Sequence, residues 1–158
     1  MKKKVLIIFG WIPAYRVPVL RSLAERYDLT VGYHFRDESS SDEPFRKLFL
    51  ENRKIGPVTL FKHFGKICRG FDVVLETSHF SYPQMLTMPL WRRGFKVVSH
   101  DVGIKAHYKL RFDLARRKTL SDYFYKKALF SGDSVLVYMK QILDFWNLSE
   151  KVEVVIPE

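Results

Sequence analysis

The residues able to do chemistry concentrate where apolar runs end. Val5 to Phe9 gives way to Gly10-Trp11-Ile12-Pro13-Ala14-Tyr15-Arg16, and Phe71 to Thr77 gives way to Ser78-His79-Phe80-Ser81-Tyr82. The run that opens at Phe95 reaches His100-Asp101-Val102-Gly103. In an open parallel sheet, ligands bind beyond the carboxyl ends of the strands. Such a sheet would gather Gly10, Tyr15, Arg16, His79, His100 and Asp101 on one rim. That mixture suits a sugar or a phosphosugar, because aromatic rings cover sugar faces while Arg and His meet hydroxyls and phosphate.

Each of these residues has a plainer reading. His100 and His79 would serve as strand-capping or solvated histidines, Arg16 as a surface ion-pair partner, Tyr15 as packing and Gly10 as a turn residue. His34, His63 and His107 have nothing beside them that raises them above surface residues. Other chemistries lack their signatures. No G-x-G-x-x-G follows the first run, and the chain carries neither G-x-x-x-x-G-K-[ST] nor G-x-S-x-G. His100 and Asp101 are adjacent, so on a strand their side chains diverge, and no metal-ligand spacing supports them. Glu43 and Glu51 have Glu-x7-Glu spacing but fall between the second and third elements, and no catalytic role is assigned to them. A single cysteine, Cys68, excludes an intramolecular disulfide and makes a reducing cytoplasm the expected compartment.

The elements that must position these residues alternate between β-rich runs and amphipathic helices. Strands are expected at 5–9, 29–35, 71–77, 95–100, 134–138 and 152–156, with a third short strand at 58–61. The segment 36–56 is polar and reads as a loop, with a short helix near 45–50. Helices are expected at 17–27, where Pro18 sits in the first turn, and at 82–93, ending at Gly94. A mostly helical stretch runs from about 112 to 130, and a short amphipathic helix is marked by Met139, Ile142, Leu143 and Trp146. Continuous apolar strands alternating with helices imply a Rossmann-like α/β domain: three layers around a mainly parallel sheet.

At 158 residues and 47% hydrophobic composition, the chain fits one domain with a real core, 1–158. The opening Lys2-Lys3-Lys4 and its apolar run imitate a signal peptide, but the run is short and ends in Gly10-Trp11-Ile12-Pro13, so it reads as a strand. No apolar run approaches the roughly 20 residues needed to span a bilayer. The net charge of +10 predicts attraction to nucleic acid, an acidic lipid surface or a phosphate-bearing substrate.

Four passages, in order and covering nearly the whole chain, resemble glycosyltransferase family 4, whose members retain configuration and have the two-domain GT-B architecture. They are KKKVLIIFGWIPAYRVPVLRSLAERYDLTVGY, with its Pro-x-Tyr-Arg-x-Pro loop; FDVVLETS; RRGFKVVSHDVG; and ALFSGDSVLVYMKQILDFWNLSEKVEVVIPE. The chain departs from the pattern in two places. Gly10 stands alone where many members have a Gly-Gly loop, and Ile156-Pro157-Glu158 stands where Ile-Pro-Asn-Gly is usual.

The resemblance implies an N-terminal, acceptor-side domain, with a second, nucleotide-sugar-binding domain expected as its partner and absent from this chain. It implies transfer in the cleft between the two domains with no cofactor and no obligate metal. His100 is expected at the reacting centre, with Gly10, Tyr15, Arg16, His79 and Asp101 touching substrate. The acceptor is expected to be a lipid-linked or cell-surface glycan, as in polysaccharide biosynthesis.

Lys105, Lys109, Arg111, Arg116, Arg117, Lys118, Lys126 and Lys127 are opposed only by Asp113 and Asp122 and interleave with aromatic residues. On a helical wheel they spread over several arcs, which fits a solvated basic helix as readily as one membrane-binding face. For family members acting on lipid-linked acceptors, a basic first domain docks on the inner face of the membrane, so an anionic membrane surface is the expected partner. The alternative from another class is a basic α/β module that binds nucleic acid. No nucleic-acid-binding motif accompanies its charge.

Overall fold

The computed structural model describes residues 1–77, 79, 81–92, 94–101, 120–137 and 154–155, with the backbone alone at Asp101, Ser121, Val154 and Val155. Its strands are β1 (Lys4–Ile8), β2 (Trp11–Ile12), β3 (Asp28–Tyr33), β4 (Arg36–Asp37), β5 (Arg46–Phe49), β6 (Asn52–Ile55), β7 (Val58–Phe61), β8 (Val73–Thr77), β9 (Lys96–Asp101), β10 (Ser134–Val137) and β11 (Val154–Val155). Its helices are α1 (Val17–Arg26), α2 (Phe64–Cys68), α3 (Pro83–Leu86), α4 (Met88–Trp91) and α5 (Leu120–Leu129), and a single 3-10 turn, Ala14–Arg16, leads into α1.

Seven strands form the main sheet in the order β11-β10-β9-β8-β1-β3-β5, and every ladder in it is parallel. Both faces of β1 are covered, which is why its sequence is a continuous apolar run instead of an alternating one. Leu6 and Ile8 point into a core with Phe61, Phe64, Cys68, Val74, Met85, Met88 and Val97. Ile7 points the other way, toward Leu20 and Ala24 of α1 and toward Leu29, Val31 and Phe45. Two cores on opposite faces of one parallel sheet make the Rossmann-like three-layer α/β domain that the sequence pattern implies.

Starting at β1, the chain builds outward through β3 to β5, then returns across the sheet to lay β8 on the other side of β1. The strand order reverses between β1 and β8, and a crevice opens at the carboxyl ends of the strands there.

Three expected elements differ from the structure. Residues 45–50 are not helical: Arg46–Phe49 is β5, parallel to β3 with Thr30 opposite Arg46. Local propensity in that segment yields to the open edge of β3, whose backbone groups need partners, while Phe45 and Leu50 are buried at either end. Val58–Phe61 is not the third strand of the main sheet but pairs antiparallel with β6 in a separate hairpin. The helix expected at 82–93 is two one-turn helices that meet at Thr87. Pro89 has no N–H with which to continue the first helix.

The expected helix at 112–130 is observed as α5, with 112–119 outside the described residues. The helix expected around Met139 to Trp146 lies wholly outside them. Among the described residues, no helix is long and apolar enough to cross a membrane.

Candidate functional site

The loops that follow β1 and β3 are tied together before either reaches its next element. The Gly10 carbonyl accepts the N–H groups of His34 (3.3 Å) and Phe35 (3.0 Å), and the Ile12 carbonyl accepts that of Glu38 (2.9 Å). Between these contacts lies the short parallel pair of β2 with β4. Gly10 has no left-handed backbone, and a Cβ there would lie 3.8 Å from His34 Nε2, an ordinary contact. Its role in the fold is therefore its carbonyl.

Beyond Pro13 the chain makes its 3-10 turn, in which the Arg16 N–H donates to the Pro13 carbonyl and the Val17 N–H to that of Ala14. This turn delivers Arg16 to the start of α1. The Arg16 guanidinium lies 4.4 Å from the centre of the Phe9 ring and 5.6 Å from that of Tyr15. A cation over an aromatic face is held electrostatically without losing its hydrogen-bond donors.

These loops enclose a cavity of about 600 Å³ at the switch point. Ile8, Phe9, Thr77 and His100 line it from the strand ends, and Gly10, Trp11, Pro13, Tyr15 and Arg16 from the first loop. His34, His79, Tyr82 and Met85 complete it. The volume is in the range of small-ligand sites. Tyr15 is 71% exposed and Trp11 is 42% exposed, so both rings are available to a ligand at the mouth.

The protonation states follow from the surroundings. His100 is 3% exposed, and its pKa is pushed down to about 4, first by burial and then by the Arg16 charge. At neutral pH its imidazole is uncharged and offers one donor and one acceptor. The Arg16 guanidinium beside it supplies a fixed positive charge to the cavity. Burial also lowers the pKa of His34, whose ring meets those of Phe61 and Tyr82 edge-on at 5.2 and 5.1 Å. The Tyr82 phenol is raised by burial and stays protonated. His79 Nδ1 accepts the Ser81 N–H at 3.0 Å, which places the proton of its neutral form on Nε2.

The cavity thus brings together five of the six substrate residues expected from the sequence: Gly10, Tyr15, Arg16, His79 and His100. Asp101 ends β9 opposite Val137, and its side chain is outside the described residues. His34 corrects the reading of that residue as an ordinary surface histidine. Expecting its strand to run to Phe35 hid the fact that β3 ends at Tyr33, which makes His34 the first residue past a strand end. The rule that singled out His79 and His100 applies to it equally. Among the described residues, no three His, Cys, Asp or Glu side chains converge as metal ligands.

Of the basic residues expected at a membrane, Lys105, Lys109, Arg111, Arg116, Arg117 and Lys118 lie outside the described residues. Lys126 is half-buried and Lys127 exposed in the last turn of α5, where the helix dipole favours cations. Leu120, Tyr123 and Phe124 are exposed on the same helix. The Glu43 and Glu51 pair serves ion pairs away from the cavity: Glu43 receives Arg21 at 2.8 Å and Glu51 receives Lys62 at 2.9 Å.

A scan against protein-family models finds no match to this chain, and no curated protein matches it in sequence.

Proposed function

We propose that the chain serves as the acceptor-side domain of a retaining, two-domain glycosyltransferase and binds the sugar acceptor in the cavity at the β1–β8 switch point. The observation that carries this reading is the cavity itself. Aromatic rings stand at its mouth, three imidazoles, two of them uncharged through burial, and a phenol line its wall, and one guanidinium sits at its side. Aromatic faces with uncharged donors and acceptors are the chemistry that recognises a polyhydroxylated ring. The four passages that resemble glycosyltransferase family 4 support the same reading, and two of them supply the lining residues Gly10, Tyr15, Arg16 and His100.

In this reading the donor is a nucleotide-sugar held by a second domain, no metal is obligatory, and the acceptor is a lipid-linked or cell-surface glycan. His100, uncharged, donates a hydrogen bond near the reacting centre, and Arg16 meets a substrate phosphate. The enzyme works in the cytoplasm, at the inner face of the membrane. Lys126 and Lys127, with the basic run from Lys105 to Lys118, draw it to anionic lipid.

The test uses this chain alone. It is expected to bind vesicles containing phosphatidylglycerol with an affinity that falls as salt rises, and to transfer no sugar from a nucleotide-sugar. Robust transfer by this chain without a second domain overturns the half-enzyme reading. Tight, salt-sensitive capture of single- or double-stranded nucleic acid on a filter, undiminished by competing vesicles, would favour the nucleic-acid alternative.

A further inference from the structure

We infer that the cavity takes an anionic sugar, a hexose bearing a phosphate, with the phosphate seated on the Arg16 guanidinium. This deepens the proposed function and rests on its reading of the cavity as a sugar site.

Six of the cations placed around this domain are neutralised by carboxylates. Arg21 pairs with Glu43, Arg36 with Glu38, Arg46 with Asp28, Lys47 with Asp37, Lys62 with Glu51 and Arg92 with Asp133. Arg16 has no carboxylate partner among the described residues, although it is half-buried and fixed over Phe9. Nor is there a carboxylate among the described residues that line the cavity. A guanidinium held without a counter-charge against an aromatic wall offers a planar fork of donors that matches two phosphate oxygens.

His34 and His100 do not compete for this role, because burial keeps them uncharged at neutral pH. The backbone where the 3-10 turn enters α1 does not supply it either. The N–H groups of Arg16 and Val17 are used inside the 3-10 turn, and Pro18 has none. Arg16 therefore carries the charge selectivity, and the sugar ring falls to the rest of the lining and the exposed rings of Trp11 and Tyr15.

The chain is titrated with glucose 1-phosphate, inorganic phosphate and glucose, each followed by the ring-proton NMR signals of its histidines and by calorimetry. Glucose 1-phosphate is expected to bind saturably, shift His34 and His100, and raise the His100 titration midpoint, because a bound phosphate offsets the Arg16 charge. Inorganic phosphate is expected to compete more weakly and glucose to bind weakest. Arg16→Gln should lower glucose 1-phosphate affinity roughly 10- to 100-fold and leave glucose unchanged, with Arg16→Lys intermediate. Circular dichroism verifies that both variants are folded.

Equal affinity for glucose and glucose 1-phosphate, both shifting the cavity histidines, overturns the anionic inference while the sugar-site reading stands. Unchanged affinity for glucose 1-phosphate in Arg16→Gln does the same. If no sugar, charged or neutral, moves any cavity resonance, both readings fall.

Discussion

Lowering the pH from 7.5 to 5 should cost this protein stability through His100 before most carboxylates begin to titrate. The imidazole is 3% exposed, and its pKa falls from 6.5 in the free side chain to about 4 in the fold. Between these values the unfolded chain binds a proton that the folded chain refuses, so stability drops as pH drops. At about 1.4 kcal/mol per tenfold, the full penalty is about 3 kcal/mol, reached below pH 4, and about 2 kcal/mol of it is lost by pH 5. That is a large share of the roughly 5–15 kcal/mol that holds a domain folded. Urea unfolding followed by tryptophan fluorescence at pH 7.5, 6 and 5 measures the loss. His100→Gln, which has no proton to take up, isolates the part due to this residue. Wild type should lose about 2 kcal/mol more than the variant over that interval. In Arg16→Gln the His100 midpoint should rise, but by less than half of its displacement, because burial is the larger cause. Parallel pH profiles for wild type and His100→Gln, or a His100 ring proton titrating near 6.5, would refute the reasoning.

Cys68 is fully buried in α2, and burial pushes its thiol up to about 12. The native chain should resist an aromatic disulfide reagent at pH 8 and react stoichiometrically once unfolded; immediate labelling in native buffer would contradict the packing around α2. Gly56 opens the two-residue turn of the β6–β7 hairpin at φ +55°, with open space where a Cβ would sit. Gly56→Ala should cost about 1 kcal/mol through backbone strain alone, and Gly56→Asn less. Equal stability of all three in urea would mean the turn does not require that backbone hand.

The parts of the fold legible from sequence were those fixed by burial on two faces. Val5 to Ile8 and Val73 to Leu75 announce themselves because apolar side chains fit between two helical layers, and Glu76 and Thr77 are the exceptions that end the second run. What the sequence concealed was pairing. Arg46-Lys47-Leu48-Phe49 carries two charges and no strict alternation, yet it becomes a sheet strand because β3 has a free edge and Asp28 and Asp37 wait for its cations at 2.8 and 2.9 Å. No local pattern contains that information. His34 stayed hidden for a related reason, since its value depends on where β3 stops, a boundary set by the Gly10 carbonyl on the neighbouring loop.

The charge of the whole chain is a poor guide to the charge of its site. A net +10 points toward polyanions, yet the described cations are spread over the surface and several are already neutralised by carboxylates. Inside the cavity, burial removes the charge from two histidines that sequence alone would count as half-protonated near pH 6.5. The Arg16 guanidinium remains charged, and a single fixed charge in a half-buried wall discriminates between ligands far better than many screened ones do. Selectivity for an anion at this site should therefore survive salt concentrations that abolish binding of the whole chain to an anionic surface. The two attractions can be separated by measuring glucose 1-phosphate and vesicle binding across the same salt series. Loss of both in parallel would show that Arg16 is screened like any surface cation, and that the cavity confers no selectivity of its own.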